Sequence, residues 1–62
     1  MKEKFENLYA ILNEVEEDVT KFDEKGNKAA GTRVRKAMQQ IKALAQEIRV
    51  EVQERKNAEA AE

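Results

Sequence analysis

The stretch Phe22-Asp23-Glu24-Lys25-Gly26-Asn27-Lys28-Ala29-Ala30-Gly31 decides how this chain folds. Gly26 suits the left-handed residue that stops a helix, and Asn27 suits the cap that starts the next one. Working outward from this point, the apolar residues mirror each other. On one side stand Met1, Phe5, Leu8, Leu12, Val15, Val19 and Phe22; on the other stand Gly31, Val34, Met38, Ile41, Ala45, Ile48 and Val52. Both sets alternate steps of four and three, the spacing of a coiled-coil seam. Folding at Gly26-Asn27 pairs Phe22 with Gly31, Val15 with Met38 and Leu8 with Ala45. The sequence therefore predicts an all-α fold, an antiparallel two-helix hairpin of coiled-coil type. Helix 1 is expected over about 2–25, the turn at 26–27 and helix 2 over about 28–57, with 58–62 a frayed acidic tail. A single continuous helix is the competing reading. It would carry Arg33 and Lys36 onto the seam, which argues against it. Gly31, opposite Phe22, signals a close approach beside the turn.

A second apolar row runs along helix 2 through Ala30, Ala37 and Leu44. Ile11 is expected to face Leu44, and Asp18 to face Ala37, with a Lys4–Glu51 pair closing the end. Ile11, Ala30, Ala37 and Leu44 thus form a candidate subunit interface, the alternative being an oversized core stripe on a monomer. A chain of 62 residues with no Cys and no His has neither disulfide nor zinc to reinforce a small core. Self-association is the remaining reinforcement, so a homo-oligomer is expected: a dimer forming a four-helix bundle.

The same composition argues against catalysis. Without His or Cys, two common general bases and nucleophiles are missing. No Gly-rich phosphate loop or nucleophile-elbow motif occurs. The carboxylates sit on helix exteriors, so no catalytic residue, metal site, cofactor or small-molecule substrate is expected. No apolar run approaches the ~20 residues that span a membrane. No signal peptide opens the chain, and a cytoplasmic protein is the default.

Charge is uneven despite a net value of −1. Residues 1–20 carry six carboxylates against two lysines, whereas residues 21–36 carry six cations against two carboxylates. On helix 2, Lys28, Arg35, Lys42, Arg49 and Lys56 recur every seventh residue beside Thr32, Gln39, Gln46 and Gln53. Successive cations stand about 10.5 Å apart along a helix axis. Such a ridge can track nucleic-acid phosphates, and the N-terminus of helix 2 offers a further anion site. The alternative is a solvated face whose cations pair across the seam. Glu16 would then lie near Arg35 or Lys42, and Asp23 near Lys28 or Arg35. Phe5 and Phe22 fall on the seam, which disfavours a binder that stacks bases.

The segment from Glu24 to Ala58 resembles the bacterial linker-histone-like proteins, small nucleoid proteins of chlamydiae with short forms in Bacteroidetes. The run Lys25-Gly26-Asn27-Lys28-Ala29-Ala30, followed by Arg33-Val34-Arg35, carries the resemblance most sharply. It implies sequence-nonspecific DNA binding and chromosome condensation in the nucleoid, without cofactor or catalysis. Carried onto this chain, it points to Lys25, Lys28, Arg33, Arg35 and Lys36; the stripe adds Lys42 and Arg49. The chlamydial proteins continue into a long basic tail, whereas this chain ends in Asn57-Ala58-Glu59-Ala60-Ala61-Glu62. Fewer neutralised phosphates mean weaker binding. A helical protein-interaction module, docking partners on the Ile11/Ala37/Leu44 patch without nucleic acid, is the alternative function.

Overall fold

The computed structural model describes residues 1–60. Helix α1 spans Lys2–Lys25 and helix α2 spans Lys28–Ala60. They pack against each other as a rod of 55 × 15 × 12 Å. Helix α2 continues past the expected stop at Asn57; of the tail expected to fray, residues 61–62 lie outside the described residues. No strand occurs among the described residues.

The turn is built from its two signal residues. Gly26 adopts φ 63° and ψ 28°, the left-handed conformation that costs a side-chain-bearing residue most. Its N–H donates to the Phe22 carbonyl at 3.0 Å, and the Asn27 N–H reaches the Lys21 carbonyl at 3.5 Å. These bonds satisfy carbonyls that the end of α1 would otherwise orphan. Asn27 Oδ1 then accepts the Ala30 N–H at 3.1 Å, capping α2. One of the amides expected to be free for an anion is therefore already used.

Phe22 and Gly31 meet as their pairing demands. A Cβ on Gly31 would lie 2.8 Å from both Cδ1 and Cε1 of the Phe22 ring. Elsewhere the packing differs from the expected seam. Ala30 is wholly buried, and Val15 and Ala37 are the other buried residues. Leu8, Ile11, Ile41, Leu44 and Ile48 are half-buried. By contrast Phe5 is 58 % exposed, and Leu12, Val19, Phe22 and Met38 are more than 40 % exposed. The helices have rotated so that the Ala30/Ala37/Leu44 row faces α1. Alanine has little side chain, so this row lets the two backbones approach more closely than a row of large residues would. The bulky side chains of the expected seam are left at its edge.

Candidate nucleic-acid interface

The rotation gives the hairpin two unlike faces. Both helices are right-handed and they run antiparallel, so turning past the seam in one sense on each leads to the same side of the rod. On one side Asp18, Arg33, Lys36 and Gln40 border a shallow groove floored by Ile11, Val15 and Ala37. On the other side, Phe22 and Val34 share a groove with Lys28 and Arg35. Next along it Val34 and Met38 lie beside Arg35, Gln39 and Lys42.

The first face is tied shut by ion pairs. Arg33 Nη2 and Nε lie 2.9 and 3.0 Å from Asp18 Oδ1. That hydrogen bond, with the guanidinium charge, holds the Asp18 carboxyl below its ordinary value and raises Arg33 above its own. At the open end Glu51 gathers three cations. The Met1 ammonium stands 3.2 Å and Arg55 3.1 Å from its Oε1, and Lys4 lies 3.5 Å from its Oε2. The hydrogen bond from the Met1 ammonium, reinforced by these charges, lowers the Glu51 pKa. The Lys4–Glu51 pair expected from the sequence is thus present, within a larger cluster.

The stripe stands apart from these ties. Lys28, Arg35, Lys42, Arg49 and Lys56 are all exposed. Among the described residues none of them has a carboxylate oxygen within the 4.0 Å of an ion pair. Neither Glu16 nor Asp23 reaches across to them. The neighbouring polar row bonds internally: Gln46 Oε1 accepts from Arg49 at 3.3 Å, and Thr32 donates to the Lys28 carbonyl at 3.2 Å. The heptad row beside the stripe, Thr32, Gln39, Gln46 and Gln53, is neutral, so among the described residues no ion pair takes up the stripe's charge.

The remaining basic candidates are scattered. Lys25 is exposed in the last turn of α1 and Lys36 is exposed on α2. Lys36 borders the groove that holds Asp18 and Glu14, on the flank opposite Arg35. Arg33 is engaged by Asp18 and is the least available of the seven. The four candidate interface residues have a different fate. Ala30 and Ala37 are buried between the helices of one chain, and Ile11 and Leu44 are half-buried with them. The small side chains that would suit a subunit interface are consumed by the hairpin itself.

Sequence reasoning missed the Asp18–Arg33 tie and the gathering of cations on Glu51. The signal for the first was present: Asp18 is the acidic member of an otherwise apolar inner row, Leu8, Ile11 and Val15, and such a carboxylate needs a partner. No group of three potential ligands stands together for a metal ion among the described residues. Among the described residues no helix is long and apolar enough to cross a membrane.

Compared with known protein families, residues 2–58 match the histone H1-like protein Hc1. The chain belongs to that family. The match takes in all of α1, the turn and nearly all of α2, so membership in the Hc1 family rests on the hairpin itself. No curated protein and no solved structure matches the chain.

Proposed function

We propose that this Hc1-family chain is a non-enzymatic histone-like protein of the cytoplasmic nucleoid that binds duplex DNA without sequence preference. The observation that supports it best is the stripe, whose cations lie exposed at heptad spacing with no carboxylate among the described residues in ion-pair reach. Lys28, Arg35, Lys42 and Arg49 supply the main phosphate contacts. Lys25 adds charge at the turn end, Lys36 lies on the other flank, and Arg33 contributes only by leaving Asp18. Contacts of this kind position a protein on the backbone and read no bases. A net charge of −1 keeps the binding weak, so the protein acts as a homo-oligomer, a dimer that brings several stripes to one duplex.

Fluorescence anisotropy of a labelled duplex, titrated at low and at physiological salt, tests this. Four phosphate contacts give a slope of about −3 to −4 in log K against log salt. Arg35→Ala should reduce that slope by about one. Absence of binding at low salt would reject the nucleoid reading.

A further inference from the structure

The face opposite the Asp18–Arg33 tie is unpartnered, and it is apolar over most of its length. Phe5, Leu12 and Val19 recur every seventh residue on α1; Met38 and Val52 lie across from them on α2. All are between 38 % and 58 % exposed. Isolated apolar residues on a surface are ordinary, but a continuous row of this kind marks an interaction site.

The two rims of this face carry opposite charge. On α1 the bordering heptad row holds Glu16 and Asp23. On α2 it is the stripe, with Lys28 and Arg35. Within one chain these rims are separated by the apolar face itself and form no ion pair. We infer that a second copy of this chain covers the face, its α1 lying on α2 of the first and the two turns at the same end. This takes the self-association proposed above as its premise and needs nothing from DNA binding.

The orientation follows from charge. A two-fold axis parallel to the helices sets Asp23 beside the partner copy's Lys28 and Glu16 beside its Arg35, each twice. Lys2 beside Arg49 is the one unfavourable encounter, and it falls at the open end. A two-fold axis across the rod would instead oppose the stripes of the two copies. Lys42 would meet Lys42, and Arg35 would meet Arg49, with no carboxylate between. The first arrangement leaves Lys42, Arg49 and Lys56 of both copies outward and brings the two turns, each with its Lys25, to the same end. Its rim pairs are solvent-exposed, so each adds little to affinity but fixes orientation, and Lys28 and Arg35 exchange these carboxylates for phosphates when DNA is bound.

Sedimentation equilibrium without nucleic acid, together with distance measurement between spin labels on Lys25→Cys, tests this. The chain has no native Cys, so the label is unique. The expected result is a dimer with the labels within roughly 25 Å, a few helix spacings. Turns at opposite ends would place the labels more than about 35 Å apart, close to the length of α1. Leu12→Glu should abolish the dimer while circular dichroism shows the helices retained. Glu16→Lys and Arg35→Glu should each weaken it by roughly 3–10-fold, and the double variant should restore it. A monomer at high concentration would overturn self-association as a whole and leave the face to a foreign partner. A dimer indifferent to Leu12→Glu, or with distant labels, would overturn only the face or the orientation.

Discussion

The two broad faces of this hairpin differ in how they leave the seam. One is sealed: Arg33 reaches over to Asp18, and Glu51 collects the Met1 ammonium, Lys4 and Arg55. The other has no such closure. Phe5, Leu12 and Val19 lie open to solvent, and the cations beyond them have no carboxylate partner among the described residues. Charge on the sealed face is spent inside the molecule, whereas charge on the open face remains available to something outside it. What separates them is where the carboxylates fall. Asp18 and Glu51 stand beside the buried rows, close enough to meet a cation on the facing helix. Glu16 and Asp23 stand one heptad row too far out to do so.

The sharpest way to break this comparison is to force the seam apart. Ala30 has no exposed surface, so Ala30→Leu should lower stability by about 1–3 kcal/mol in urea unfolding, the usual cost of overpacking. A neutral result would mean that the Ala30/Ala37 row is not the inner one, and the two faces would exchange their roles. A smaller effect concerns the edge of the open face. Gly31→Ala gains up to about 1 kcal/mol of helix propensity but drives a methyl into the Phe22 ring. The substitution should therefore stabilise the chain clearly in a Phe22→Ala background and gain less, or lose, in the natural sequence. Equal effects in both would show that the ring does not press on Gly31.

The smallest expected effect belongs to the sealed face and is read by acid. Asp18 and Glu51 have folded-state pKa values below their ordinary 3.8 and 4.5. Their contribution to stability is complete above those ordinary values and is lost as pH falls through the lowered ones. Unfolding midpoints measured from pH 7 down to pH 3 should fall at the acid end, and Asp18→Asn should flatten part of the decline. The cations that hold them, Arg33, Lys4 and Arg55, are 40 % or more exposed, so solvent screens the pairs and the change is modest. An unchanged acid profile in Asp18→Asn would show that the Arg33 tie contributes nothing to the fold.

Much of this architecture could be read from the residues alone, and the part that could not has a physical cause. The break at Gly26-Asn27, the Phe22–Gly31 contact and the Lys4–Glu51 pair each depend on a local signal: a left-handed position, a missing side chain, an isolated pair of opposite charges. The identity of the inner row depends on a competition. On α2 both the row of Met38, Ala45 and Val52 and the row of Ala30, Ala37 and Leu44 have heptad spacing, so periodicity does not choose between them. One offers more apolar area and the other offers closer backbones. In this structure the row of small side chains prevailed: Ala30 and Ala37 are inside and Phe5 is outside. The availability of Lys28 and Arg35 was open for the same reason, because a small rotation decides whether Glu16 and Asp23 reach them.

The two helices are unequal in length, 24 residues against 33. Glu51 already meets Met1 at the start of α1, so among the described residues the turns of α2 beyond it have no facing helix. A free helix this short is marginal in water, because forming its first turn is the expensive step. Here that step has been taken further back, in the packed part, and the overhang only extends it, with Gln53 and Asn57 bonded along its surface. The rod is thus a zipper fastened at Gly26, clasped again at Glu51 and unpaired only along the overhang of α2. It should melt from the tip of α2 toward the turn, and amide protons should exchange in that order.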